Sequence, residues 1–138
     1  MNDMLEWNKS IIEEFRVNNG KVGGQFEGAP LLLLHSTGAK SGAERVTPMM
    51  YQDLGNGRVA VFASYAGSDV NPAWFHNVVA NPETTVEIGT ETRDVRAHVA
   101  DADERKPIWE KQKADYPGFA EYEEKTDRVI PVVVLEPR

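Results

Sequence analysis

The chain has 138 residues, 41% of them hydrophobic and 27% charged, with a formal net charge of −7 and no cysteine. That length fits one domain around one core, and the acidity argues against a broad nucleic-acid surface. Disulfides, thiolate metal ligands and a cysteine nucleophile are excluded, and the lack of cysteine fits a reducing, cytoplasmic setting.

Residues Asn2 to Asn19 read as an amphipathic helix, with Met4 or Leu5, Ile11 or Ile12, and Phe15 recurring on one face and Asn2 or Asp3 as the cap. The polar start, Met1 to Lys9, has no signal-peptide core. The helix's apolar face could cover a pocket, pack on the rest of the domain or touch a membrane surface, although its acids disfavour anionic lipid. Glycines at 20, 23, 24 and 28 then break regularity. Pro30 to Ser36 reads as a buried strand, and its aliphatic run, Leu31 to Leu34, is far too short to span a bilayer. Val46 to Asp53 is a second strand in which Pro48 marks an edge or a bulge. A tight turn at Leu54-Gly55-Asn56-Gly57 leads into a third strand, Arg58 to Ser64. Asn71-Pro72 predicts a capped helix over Ala73 to Ala80, ended by Asn81-Pro82. Thr84 to Ile88 and Thr92 to Ala100 form a hairpin around Gly89-Thr90. Asp101 or Asp103 caps a helix to about Lys113, Pro117 opens a short one to about Glu124, and Val129 to Glu136 is the last strand. The pattern predicts one α+β domain, residues 1–138: a small barrel of about six mostly antiparallel strands with flanking helices, preceded over residues 1–28 by the first helix and a glycine-rich connection. No Rossmann or P-loop glycine fingerprint is present.

Three places could carry chemistry. The loop from Thr37 to Arg45 holds Gly38, Gly42, Ser41 and the cations Lys40 and Arg45 in an acidic chain, so it could present backbone N–H groups and positive charge to an anion such as a phosphate. An ordinary solvated turn is the commoner fate of such a loop. The segment Phe62-Ala63-Ser64-Tyr65-Ala66-Gly67-Ser68 is small enough for a flat ring to approach the backbone, and the helix start at Asn71 could direct N–H groups at the same ligand. Trp74 and Phe75 read as core, and His76 as a surface group or a pocket donor. Tyr116, Phe119 and Tyr122 could wall a pocket or simply pack their helix. The three histidines have no metal-site spacing, so no metal is expected.

In this order the motifs Thr37-Gly38-Ala39-Lys40-Ser41-Gly42 with Arg45-Val46 and Pro48, Ala63-Ser64 with Ala66-Gly67, Asn71-Pro72 with Trp74 and Asn77, Ala80-Asn81-Pro82, Tyr116-Pro117 with Tyr122, Thr126-Asp127-Arg128 and Ile130-Pro131-Val132-Val133 resemble the deazaflavin (coenzyme F420)-dependent nitroreductase and quinone reductase family of actinobacteria. The resemblance implies a split β-barrel related to FMN-binding barrels and one F420 per chain. By that resemblance Ala39, Lys40, Ser41 and Arg45 hold the cofactor's phosphate and tail. Val46, Thr47, Pro48, Met49 and Met50 lie beside it, and Phe62, Ala63, Ser64, Tyr65, Ala73, Trp74, Phe75, His76 and Asn77 line the rest of its groove. Tyr116, Phe119 and Tyr122 would contact substrate, with Tyr116 or Tyr122 positioning it or donating a proton. Some relatives carry lysine at the position of Tyr65 and tyrosine at that of Phe119. The implied activity is hydride transfer from reduced F420 to a small electron-poor acceptor: a quinone, a nitroaromatic, or a coumarin-type lactone. A deazaflavin carrier without turnover and an FMN-dependent reductase are the other readings. Split-barrel relatives often form homodimers.

Overall fold

The computed structural model describes residues 3–23, 30–39, 42–64 and 70–138, with the side chains of the first helix described from Lys9 onward. Six strands, β1 (Leu31–Thr37), β2 (Glu44–Gly55), β3 (Arg58–Phe62), β4 (Glu83–Ile88), β5 (Glu91–Val99) and β6 (Val132–Pro137), close an antiparallel barrel in the order β1-β2-β3-β6-β5-β4. Successive side chains of a strand point to opposite faces. One set therefore fills the barrel: Leu32, Leu34, Val59, Val61, Val86, Val95, Val133 and Leu135, with Trp74 and Val78 of α2 (Ala73–Ala80) packed against them. The other set is covered by helices. Helices α3 (Ala102–Asp115) and α4 (Gly118–Glu124) bury Ala60, Phe62, Val132 and Val134 beneath Ile108, Trp109 and Phe119. Helix α1 (Asp3–Val17) sets Phe15 over Leu31 and Leu33. Residues Leu31 to Leu34 are thus buried on both faces, which is why the run shows no alternation.

Helix α1 packs on the barrel rather than standing free. Glu87 accepts both Arg16 Nε (3.1 Å) and Arg16 Nη2 (2.7 Å), and Glu14 accepts the Gly23 N–H at 2.6 Å. After the helix, Gly20 (φ +93°) passes so close to Gly89 that a Cβ there would lie 2.6 Å from the Gly89 Cα, so this backbone-to-backbone crossing admits only glycine. His35 sits between two carboxylates, with Nδ1 2.7 Å from Glu44 and Nε2 2.7 Å from Glu87. Burial alone would lower its pKa, but the two carboxylates outweigh burial and raise it above 6.5. Glu87 is held below its usual 4.5, first by the Arg16 hydrogen bond and then by His35, against the opposing effect of burial.

Element boundaries depart from the sequence reading where prolines and turns intervene. The second strand runs on through Leu54 and Gly55, and the hairpin loop is only Asn56-Gly57, both at positive φ (55° and 78°), with a register irregularity between Asp53 and Gly55. Strand β3 ends at Phe62 rather than Ser64, and β6 begins at Val132 rather than Val129, because residues 128–131 form a bracket beside β3 and Pro131 has no N–H for the ladder. Asp101 caps α3 as expected, accepting the Glu104 N–H at 2.8 Å. Asn71 does not cap α2. The N-cap is Pro72, without a side-chain hydrogen bond, and Asn71 Oδ1 accepts from Arg128 instead. The proposed α1 cap at Asn2 lies outside the described residues.

Candidate functional site

The second strand changes partner midway: β1 pairs with it from Glu44 to Met50 and β3 from Tyr51 to Gly55. The Tyr51 N–H donates to the Pro30 carbonyl (3.1 Å), so in the alternating antiparallel ladder the odd-numbered residues of β2 bond to β1. The backbone groups of Val46, Pro48 and Met50 face the other way. On that side β3 pairs with β2 from Tyr51 to Gly55, and among the described residues no strand covers Glu44 to Met50. Pro48 therefore sits at an edge, where its missing N–H costs no bond to β1. Arg45, Thr47 and Met49 stand opposite Ser36, Leu34 and Leu32 in the β1 register and share the barrel-side face. Arg45 is exposed, and its guanidinium makes no hydrogen bond or ion pair to another described residue. Met49 and half-buried Phe75 of α2 each pack at the margin of the barrel core. These residues line the half of β2 whose second edge no described strand covers, and Arg45 at its end has no side-chain partner among the described residues.

The loop joining β1 to β2 is held from a distance. The Gly38 N–H donates to the Ala43 carbonyl (2.7 Å) and the Gly42 N–H to the Gly38 carbonyl (2.9 Å), with Gly42 at φ +72°. The Ala39 N–H donates to Asn77 Oδ1 at 3.0 Å, while Asn77 Nδ2 donates to Ser36 Oγ at 3.3 Å and Asn81 Nδ2 to the Thr37 carbonyl at 3.4 Å. The backbone N–H groups of Gly38, Ala39 and Gly42 are thus occupied within the protein, so the expected backbone cradle is not open at these three; side chains must supply the positive charge. Lys40, Ser41 and Tyr65 lie outside the described residues. Asn77 is buried as the tie between α2 and this loop, so its part in a groove is to hold the wall in place.

Other expected site residues separate. Alternation places Phe62 on the outer face of β3, where it is buried against Trp109 (centroids 5.9 Å) and Phe119 (5.5 Å). It is a core residue, not a groove wall. Phe119 is equally enclosed, and only Tyr116 and Tyr122, half-buried at the margin of this cluster, retain exposed surface. The cluster is pinned by Trp109 Nε1 donating to Glu123 (2.6 Å). Burial would raise the Glu123 pKa, but the bonds from Trp109 and Lys113 bring it below 4.5. Met50 packs against both this cluster and the α1 cluster. Ala63 is buried in the barrel core, Trp74 likewise, Ser64 is half-buried, and Ala73 and His76 are exposed. Val46 packs outward under α1.

One residue stands out that the side-chain patterns did not single out. Arg128 Nη1 donates to the Ala63 carbonyl (3.0 Å) and Asn71 Oδ1 (2.8 Å), and Nη2 to the Ser64 carbonyl (2.8 Å). It fastens the end of β3 to the residue two places before α2.

Comparison with known proteins agrees with this architecture. The F420H(2)-dependent quinone reductase family matches residues 7–137. The chain belongs to that family. It is 42% identical over 110 residues to a Mycobacterium tuberculosis H37Rv protein named for F420H(2)-dependent quinone reduction, covering 79% of this chain and 91% of the relative. A solved F420-H2 dependent reductase (FDR-A) superposes with a TM-score of 0.70 at 41% identity, covering 78% of this chain and 94% of that one. A further solved structure, described as a domain-swapped dimer, gives a TM-score of 0.72 at 36% identity over 97% and 98% of the two chains. This family member is an F420H2-dependent reductase, and its cofactor is reduced coenzyme F420. The residues described fit such a group: an exposed Arg45 guanidinium without a partner among the described residues suits a phosphate or acidic tail, and the half of β2 that no described strand covers offers a flat ring backbone N–H and C=O groups, with apolar Met49 and Phe75 at the margin of the barrel core.

Proposed function

We propose that the slot along Glu44 to Met50 holds reduced F420, with Arg45 and, from the same loop, Lys40 and Ser41 on its anionic tail. Thr47 and Met49, Ala63 and Ser64, and Phe75 would border its ring. The acceptor is a quinone first, as the family description supports, and a nitroaromatic or coumarin-type lactone second. The single observation that carries the placement is exposed Arg45, without a partner among the described residues, at the end of a strand edge that no described strand covers. When bound, the cofactor supplies a hydride. The chain binds, orients and excludes water, and a proton reaches the acceptor oxygen from solvent or from Tyr116 or Tyr122, which keep exposed surface at the margin of the aromatic cluster. No helix among the described residues is long and apolar enough to cross a membrane, consistent with small diffusible acceptors but equally with peripheral contact. A homodimer is part of the reading, since a relative of similar length is described as a domain-swapped dimer; light scattering tests it.

The decisive assay mixes protein, reduced F420 and one acceptor of each class and follows cofactor oxidation. Quinone-dependent oxidation above the protein-free rate, lost at unchanged stability in Arg45→Ala, supports the reading. Tight binding with no oxidation by any acceptor would leave a carrier, and FMN bound in preference to F420 would overturn the cofactor assignment.

A further inference from the structure

Continuing the ladders of β3 by its own register shows which hydrogen bonds the barrel gives up. Gln52 stands opposite Ala60 and, two steps on, residue 48 opposite residue 64, so the Ser64 carbonyl would next look to the N–H of position 48. That position is Pro48, which has none. On the other side Val61 stands opposite Val133, which brings Ala63 opposite Pro131. The Ala63 N–H does donate to the Pro131 carbonyl (3.0 Å), but Pro131 cannot return the bond to the Ala63 carbonyl. Two consecutive carbonyls therefore face positions whose donors are withheld by proline. Arg128 supplies both, and its third bond goes to Asn71 at the approach to α2. Its own backbone is set by the Arg128 N–H donating to Thr126 Oγ1 (3.3 Å).

We infer that Arg128 is the positioning residue that keeps the cofactor slot open. Pro48 stops β3 from zipping onward along β2, and Arg128 holds the freed end of β3 at a fixed separation from α2. A planar fork with several donors in set directions suits three acceptors from different segments; a lysine ammonium at the same place can satisfy one well and the others poorly. The inference rests on the cofactor reading above, because Ala63 and Ser64 are assigned to one wall of the slot and Phe75 and Asn77 to the helix at the other.

The test is a fluorescence titration with coenzyme F420, alongside kcat and KM for reduced F420 with a quinone and a thermal unfolding curve for each variant. Arg128→Ala should weaken F420 binding about tenfold and raise KM to match, with a smaller change in kcat, because misplaced walls cost binding before chemistry. Arg128→Lys should stay impaired despite its charge. Asn71→Ala, which spares both carbonyl bonds, should lose about threefold. A merely structural role would lower the unfolding temperature and leave the affinity of the folded protein unchanged. F420 affinity within twofold of wild type in folded Arg128→Ala and in Asn71→Ala overturns the inference and leaves the cofactor reading standing. Failure of the wild type to bind F420 overturns both. If Arg128→Ala does not fold, Arg128→Lys and Asn71→Ala decide by the same criterion.

Discussion

The second strand ends in two hairpins that are built in opposite ways. The β2–β3 hairpin is self-sufficient: Asn56 and Gly57 take the positive φ values its two-residue loop needs, and Asp53 Oδ1 accepts the Gly55 N–H (2.8 Å). The β1–β2 hairpin borrows its partners. Its Ala39 N–H reaches Asn77 of α2 and its Thr37 carbonyl reaches Asn81, the C-cap of α2, some forty residues later. The self-sufficient turn lies away from the slot, whereas the borrowed one carries Arg45. A loop that must hold a cofactor's charged end in register with a helix is best fixed by that helix. A turn that only reverses the chain can be left to local chemistry.

That contrast can be broken most forcefully at Asn77. Asn77→Ala leaves the buried Ser36 hydroxyl without its Asn77 partner and releases the exposed Ala39 N–H from α2, and it should cost about 1–2 kcal/mol of stability while also weakening F420 binding. Chemical denaturation and an F420 titration on the same sample measure both; a stability loss with unchanged affinity would separate the loop from the site. Next in size, Arg45→Ala should lower F420 affinity about tenfold, roughly 1.4 kcal/mol, and leave the unfolding midpoint in place because the side chain is exposed. The self-sufficient hairpin should respond in reverse. Gly57→Ala forces an ordinary residue to φ +78° and brings its Cβ to 3.0 Å from Pro137 Cγ, costing about 1–2 kcal/mol with kcat and KM unchanged. Equal loss of F420 affinity in that variant would erase the distinction.

The smallest effect is a pH dependence at the foot of the borrowed hairpin, where His35 joins Glu44 to Glu87 and, through Glu87, to Arg16 of α1. The folded His35 value lies above 6.5, so its contribution is complete below the unfolded value and fades as pH rises past the folded one. The folded Glu87 value lies below 4.5, so its contribution is complete above 4.5 and fades as pH falls past the folded one. The clamp on α1 should therefore be tightest between 4.5 and 6.5. Unfolding temperatures of wild type and His35→Gln, compared across pH, should converge as pH rises through the upper limit; a constant gap from pH 5 to 9 would assign the stability to packing alone.

The placement of the aromatics shows where reading along the chain stops. Period-two alternation sends Val59 and Val61 inward and Ala60 and Phe62 outward, so the burial of Phe62 under α3 was available from its own strand. Its assignment to the groove followed the family resemblance of the segment Phe62 to Tyr65 instead. Phe119 gave no such signal, because which helix face meets the barrel depends on where α3 and α4 settle. Arg128 was visible only as part of a motif. Its role needs Pro48, Pro131 and the end of β3 brought together, and these are joined by the pairing of β3 with β6 across some seventy residues.

The sequence by itself determined the elements and their order: Pro30 to Ser36 as a buried strand, a tight turn within Leu54 to Gly57, a cap at Asp101 or Asp103, an α+β barrel, and the family through its ordered motifs. Those features depend on neighbours within a few residues, where propensity and pattern act directly. The tertiary structure alone decided that β3 pairs with β6 to close the barrel, that Pro48 leaves half of β2 open, and that Asn77 and Arg128 hold the two sides of the opening. Those depend on hydrogen-bond donors and acceptors far apart in the chain, whose partners are fixed only once the strands have found their register.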